Sequence, residues 1–434
     1  MEKLRKELKK RKGEGVQAMD KRFAEIIDRR NSNSVKWDGL KKAFGREDIL
    51  PMWVADSDWP APEVVLEALR ERVAHGVFGY TEPGEDLARA VVNWVKRRYN
   101  WEIKKEWLVY SSGVVPAINV ALRTFTGPGG HVVVQPPVYY PFFSAVEKSG
   151  AKLVENQLLY AEDQYRMDFQ DLEEKLKEMG KTGSREPGRD SLSAGAWDGE
   201  RGNPADILIL CSPHNPVGRV WTREELERLA ELALKYNLII ISDEIHGDLV
   251  YSENIHIPLA SLGGEISRRT ITMIAPSKTF NLAGLATSVN IIPDRKMREA
   301  FIRTMSGLVI GGNVLGYTAM EAAYTRGDEW LEGQLKYLEG NRDYAVEYIN
   351  QHISGFRVQK AEGTYLLWLD CRGLGLSDPD LKKFFIEEAR VGLNPGIIFG
   401  KGGEGFMRMN IGCPRSLLEE GLRRIKWAVD YKFS

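Results

Sequence analysis

The sequence predicts an α/β fold with a mostly parallel sheet, joined to a smaller α+β unit, on three observations. GHVVVQPP, ADILILCSP, LIIISDEI and TITMIAP are short, β-branched and almost continuously apolar, as strands buried on both faces are. Between the second and third lies WTREELERLAELALKYN, a helical pattern. Strand, helix and strand over about 35 residues make a βαβ unit, whose strands run parallel. Toward the C-terminus GTYLLWLDCRG, DPDLKKFFIEEAR, GFMRMNIGC and SLLEEGLRRIKWAVDY read as the smaller unit.

At 434 residues the chain exceeds one small core, so two domains are expected. Residues 1–18, MEKLRKELKKRKGEGVQA, are basic, with Leu4 and Leu8 as their sizeable apolar anchors, and read as a solvated or frayed helix. Thr222 and Glu225 form a capping box ahead of Leu226, Leu229, Ala230 and Ala233 on one helical face; Asn237 is placed to stop that helix. Residues 180–204, rich in Gly, Ser, Pro and charge, bury too little apolar surface to order themselves and read as a mobile surface insertion.

Lys+Arg 60 and Asp+Glu 61 nearly cancel, which leaves no global pull toward nucleic acid or anionic membrane. No apolar run reaches the roughly 18–20 residues of a membrane span, and the first residues lack a signal-peptide core. Cys211, Cys371 and Cys413 are far apart and show no metal spacing, so no metal is expected and the thiols read as reduced. A soluble, cytoplasmic protein follows, without nucleic-acid or membrane partners.

Ligands of open parallel sheets bind beyond the carboxyl ends of the strands. Three such ends carry polar groups here. ILILCSP runs into His214-Asn215-Pro216, LIIIS into Asp243-Glu244-Ile245-His246, and TITMIAP through a small-residue loop, Ala275-Pro276-Ser277, into Lys278. Singly, Asn215 reads as a turn residue, Asp243 as a cap and Lys278 as a surface charge. Together and in this order they suit pyridoxal phosphate. Lys278 would hold its aldehyde as an imine and then act as base at the substrate Cα; Asp243 would keep the pyridine nitrogen protonated; Asn215 would donate to the phenolate oxygen.

WLVYSSGVVPAINVAL sets Ser111-Ser112-Gly113 between an apolar segment and a helical pattern. Ser112 reads either as an N-cap or, with the backbone N–H groups of the helix start, as a phosphate cradle. Tyr139 and Tyr140 follow the GHVVV strand and suit either ring stacking or core packing.

With these residues in place, the chain resembles fold-type I pyridoxal phosphate enzymes of the class I/II aminotransferase family, in the cystathionine β-lyase branch of the MalY and PatB type. PMWVADSDWPAPE, FGYTEPGE, SPHNPVGRVWTREEL, SDEIHGDLVY, APSKTFNLAGLATS and FMRMNIGCPR carry the resemblance from about residue 20 to the C-terminus. It implies a seven-stranded, mostly parallel sheet flanked by helices, in a large domain over 63–310. The small domain would comprise 19–62 and 311–434. It also implies that Lys278 is the Schiff-base lysine, that Ser112, Gly113, Val114 and Ser277 hold the phosphate, that Tyr139 stacks on the ring and contacts substrate, and that His246 joins the cofactor site. Tyr80 would reach the phosphate in a neighbouring subunit, giving a homodimer with shared sites. Arg408 would clamp the substrate α-carboxylate, with Asp56 also on the substrate side.

The family's aspartate-type members have tyrosine where this chain has His246 and arginine where it has Ala286. The lyase branch reads Trp-Val-Ala-Asp-Met-Asp where this chain has Ser57, and that segment borders the active-site entrance in relatives, so Ser57 bears on substrate preference. The implied activity is carbon–sulfur β-elimination on L-cystathionine or a related cysteine S-conjugate. A transaminase using a 2-oxo acid is the alternative, and a regulatory protein that binds a transcription factor is the second.

Overall fold

Strands that are apolar on both faces need helices on both sides, and that requirement organises the chain. The computed structural model describes residues 21–161, 164–182, 205–308 and 311–433. Helices α1 (Glu63–Ala74) and α2 (Glu85–Tyr99) precede strand β1 (Leu108–Ser111). Then follow α3 (Val114–Phe125), β2 (His131–Val134), α4 (Pro141–Ser149), β3 (Lys152–Glu155), α5 (Phe169–Thr182), β4 (Ile207–Cys211), α6 (Arg223–Lys235) and β5 (Ile239–Asp243). Strand β6 (Thr270–Ile274), a one-turn helix α7 (Pro276–Thr279), strand β7 (Ser288–Ile291) and helix α8 (Arg295–Met305) complete this half.

The seven strands form one sheet in the order β1-β7-β6-β5-β4-β2-β3, in which β7 alone runs against its neighbours. Ile209, Ile241 and Ile271 pack with Ile118 and Leu122 of α3 on one face. Leu208, Leu210 and Ile240 pack with Leu226 and Leu229 of α6 on the other. Each face thus buries its own apolar cluster, which is why the strand sequences show no alternation. Thr222 and Glu225 form the expected reciprocal cap on α6, and Asn237 adopts a left-handed conformation just after it.

The remaining chain builds α9 (Val314–Arg326), α10 (Asp328–His352), β8 (Arg357–Val358), β9 (Leu366–Asp370), α11 (Asp378–Phe384), β10 (Asn394–Pro395), β11 (Phe406–Asn410) and α12 (Arg415–Phe433). Its antiparallel sheet has the order β8-β9-β11-β10. Asn410 sews this sheet to the segment before α1: its N–H donates to the Met52 carbonyl at 2.9 Å, and its amide donates to the carbonyls of Val54 and Asp56 at 2.5 and 2.6 Å.

The basic segment 1–18 and residues 183–204 lie outside the described residues. The first residues of the stretch read as an insertion, 180–182, belong to α5, which runs to Thr182. Leu172, Leu176 and Met179, at helical spacing and buried, carry the helix past the first polar residues.

Candidate active site

Strands β4, β5 and β6 are adjacent and in register, with Cys211 opposite Asp243 and Asp243 opposite Met273. Their carboxyl ends therefore deliver Asn215, Asp243 and Lys278 to one side of the sheet. After β4 the backbone folds tightly: the Gly218 N–H donates to the His214 carbonyl, and the His214 N–H to the Arg219 carbonyl, each at 2.8 Å. Gly218 takes φ +74°, which a side chain would strain. Asn215 is buried in this turn.

The stretch leading to Lys278 differs from the loop expected of it. Ala275 alone is extended, and α7 begins at Pro276, whose fixed φ and missing N–H suit a first helical position. Lys278 Nζ donates to the Ala55 carbonyl at 2.7 Å, and the buried Tyr365 hydroxyl donates to the same oxygen at 2.9 Å. Burial, reinforced by the charge of Arg408, pushes the Lys278 amine down to about 8.

Asp243 is buried and accepts from the Ile245 N–H at 3.2 Å. Burial pushes its carboxyl up to about 7. Among the described residues no cation is hydrogen-bonded to it. Arg408, on β11, is the converse case. Nη1 donates to Asn215 Oδ1 at 3.0 Å, and Nη2 donates to the Trp53 carbonyl and Asn394 Oδ1, each at 2.9 Å. Its guanidinium lies 5.0 Å from the Phe399 ring centre, Nε has no partner, and burial lowers the group to about 10. No carboxylate pairs with it among the described residues.

His246 is buried, with its ring 5.9 Å from that of Tyr365 and Nδ1 unpartnered. Burial, then the charges of Lys278 and Arg408, holds it far below the usual range, so it is neutral at ordinary pH. Tyr139, half-buried, packs against Tyr140 and Phe142 at 5.5 and 5.7 Å, and burial pushes its hydroxyl up to about 12.

Ser112, Gly113 and Val114 sit at the start of α3. The cap position is Gly113, and no side chain caps the helix, so the first N–H groups are open and the simple serine-cap reading fails. Ser277 is half-buried within α7. Asp56 is bound by Arg29 (Nη2 to Oδ2, 2.8 Å), which also pairs with buried Asp58 at 2.7 Å. Ser57 is buried with an unpartnered Oγ. Tyr80 is fully exposed, 112%, in the connection between α1 and α2, beside exposed Val77 and Phe78.

Sequence reasoning missed Tyr365, Asn394 and the Ala55 carbonyl. Tyr365 stands at the head of a strand-like run, a signal that marks a sheet end; a backbone carbonyl leaves none.

A family model, that of class I and II aminotransferases, matches residues 54–425. The chain belongs to that family. Within it, the chain is 43% identical over 408 residues to the cystathionine β-lyase PatB of Bacillus subtilis, covering 94% of this chain and 99% of that one. The crystal structure of cystalysin from Treponema denticola, which contains pyridoxal 5'-phosphate, matches at a TM-score of 0.86 with 35% identity, over 94% of this chain and 98% of that one. The pyridoxal-phosphate-bound C–S lyase of Staphylococcus hominis matches at 0.82 with 31% identity, over 95% and 100% of the two chains.

Proposed function

We propose that this protein is a pyridoxal-phosphate-dependent carbon–sulfur β-lyase, converting L-cystathionine or related cysteine S-conjugates to a thiol, pyruvate and ammonia. One observation carries the reading: among the described residues, the crevice brings together a buried carboxyl group, Asp243, with no cation hydrogen-bonded to it, a buried guanidinium, Arg408, with no carboxylate partner, and an amine, Lys278, of lowered pKa. Unpaired buried charges are costly unless a ligand completes them. A protonated pyridine nitrogen would complete Asp243, and an amino-acid carboxylate would complete Arg408. The open N–H groups of α3, with Ser112, Gly113, Val114 and Ser277, would take a phosphate.

Bound pyridoxal phosphate supplies an aldehyde that captures amino groups and a ring that draws electrons from the substrate Cα. The chain's own residues do the rest. Arg408 holds the α-carboxylate through two nitrogens and so fixes which Cα bond faces Lys278. Lys278, neutral in a useful fraction near pH 7–8, takes the Cα proton at Nζ. With the cofactor bound, Asp243 would stabilise positive charge at the ring nitrogen, Asn215 would offer its Nδ2 to the phenolate oxygen, and Tyr139 would cover the ring. His246, neutral, borders the cofactor site without adding a competing charge, while Asp56 faces the substrate side. The electron pair left at Cα forms a Cα–Cβ double bond as the Cβ–S bond breaks, the departing thiolate takes up the proton that Lys278 removed and leaves as the thiol, and water hydrolyses the remaining enamine to pyruvate and ammonia.

Exposed Tyr80, with Val77 and Phe78, supports a homodimer in which this loop meets the partner's phosphate. The balanced charge supports a reading without nucleic-acid partners, and no helix among the described residues is long and apolar enough to cross a membrane. The family's aminotransferases share the early proton transfer, so the product decides. Incubation of the holoenzyme with L-cystathionine alone should release pyruvate without any added 2-oxo acid. Amino transfer to 2-oxoglutarate with no pyruvate would overturn the lyase reading.

A further inference from the structure

A one-turn helix has almost no stability of its own. In α7 the Phe280 N–H donates to the Pro276 carbonyl at 2.9 Å and closes a single turn. What places Lys278 must therefore come from outside the turn. One anchor is the Ala55 carbonyl, already described. Another, beside the bonds that Asn281 makes to Ser57 and Trp59, is the residue that follows. Thr279 is fully buried, and its Oγ1 donates to Asp248 Oδ2 at 2.9 Å.

Asp248 lies on the turn that continues β5 beyond Asp243, where the Leu249 N–H donates to the His246 carbonyl at 2.8 Å. Its carboxylate is buried and held by the C-terminal end of α2. Tyr99 Oη donates to Oδ1 at 2.7 Å, Trp94 Nε1 donates to Oδ2 at 3.3 Å, and Arg98 Nε lies 3.5 Å from Oδ1. Four groups from two other elements thus converge on one side chain. That side chain is linked to the ring-nitrogen residue by a short turn and to the amine-bearing helix by one hydrogen bond.

We infer that Asp248 is a positioning residue for Lys278, acting through Thr279 Oγ1; the inference rests on the reading of Lys278 as the proton-carrying amine. The link fixes α7 against the turn that carries Asp243 and His246, so amine and ring-nitrogen partner hold one relative placement. Val has the size of Thr without the hydroxyl, and Asp248 keeps its α2 donors in Thr279→Val.

In the holoenzyme, Thr279→Val should lower kcat about tenfold or more with KM within about twofold, the signature of a misplaced reacting group. Thr279→Ser, which restores the hydroxyl, should recover most of the loss. A second readout uses no turnover: the cofactor-stripped full chain should recapture added pyridoxal phosphate more slowly in Thr279→Val than in wild type or Thr279→Ser, followed by visible absorption. Asp248→Asn carries the same expectation should Thr279→Val fail to accumulate. The inference is overturned if kcat and recapture are unchanged in the available variant, or if Thr279→Ser is as impaired as Thr279→Val. Lys278→Ala separates the two levels. Retained turnover there removes the underlying reading, whereas an inactive Lys278→Ala beside a wild-type-like Thr279→Val removes only the positioning role.

Discussion

Arg408 Nη1 donates to Asn215 Oδ1 at 3.0 Å, across 193 residues of sequence. The bond spends the oxygen of the amide on the arginine and leaves Nδ2 to donate into the crevice. It also couples the group proposed to bind the substrate carboxylate to the group proposed to face the cofactor's phenolate oxygen. A substrate carboxylate that draws on Arg408 is thereby felt at Asn215.

Arg408→Ala should raise KM for cystathionine roughly 100-fold, since a buried charge partner contributes several kcal/mol when its ligand is in place. Cofactor should remain bound, because the phosphate groups and Lys278 are untouched. Arg408→Lys should recover only part of the affinity, as an ammonium cannot match the two-nitrogen fork. Steady-state kinetics and the visible spectrum of the purified variants decide it. Loss of the cofactor band with KM unchanged would place Arg408 in the cofactor site instead.

Lys278→Ala should reduce turnover by at least about 10³-fold. In the wild-type chain stripped of cofactor, the rate of pyridoxal phosphate capture should climb with pH and level off above about 8, the value to which burial lowers the amine. The sign follows from the neutral amine being the nucleophile, with its fraction saturating above the folded pKa. A rate still rising steeply at pH 9–10 would mean an amine near its ordinary pKa.

Asp243 makes stability depend on pH when cofactor is absent. Its folded pKa, about 7, lies above the ordinary 3.8, so the native chain binds more protons than the unfolded one between those values. Stability is then lost as pH rises from about 4 to about 7. Lys278 has the opposite sign: its depressed pKa makes stability recover between about 8 and 10.5. Thermal midpoints of the stripped protein at pH 5 and pH 7.5 should fall with pH in wild type and much less in Asp243→Asn. An equal fall in both would contradict the burial of a lone carboxylate.

The parallel strands were legible because burial on both faces writes an unbroken apolar run, and the α6 cap because Thr222 and Glu225 carry its chemistry at a fixed spacing. The crevice was legible at Asn215, Asp243 and Lys278 because each follows such a run. The route to Lys278 was not: Ala275-Pro276-Ser277 reads as a loop until the backbone shows Pro276 opening a helical turn. Contacts made through main-chain oxygens, such as that of Ala55, have no side-chain signature. Tyr365 and Asn394 likewise look like strand residues until β9, β10 and β11 bring them beside Arg408. The spacing of Leu172, Leu176 and Met179 marks the apolar face of α5, which the polar residues around it mask.

Gly218 ties backbone conformation to the site. It takes φ +74°, and a Cβ there would lie 2.7 Å from Ala361 Cβ and 3.3 Å from Ala361 Cα. Its carbonyl also accepts from the N–H groups of Glu362 and Gly363 at 2.8 and 3.1 Å, so the turn cannot move away without breaking them. Gly218→Ala should therefore destabilise by about 2–3 kcal/mol, combining left-handed strain with overpacking. Because the same turn carries Asn215, kcat/KM should fall as well. Thr222→Ala, at the cap of α6, should cost about 1 kcal/mol and leave the kinetics unchanged. Urea unfolding paired with steady-state assays separates the two. A Gly218→Ala variant destabilised to the expected degree yet kinetically wild type would mean that Asn215 holds its place independently of the turn beneath it.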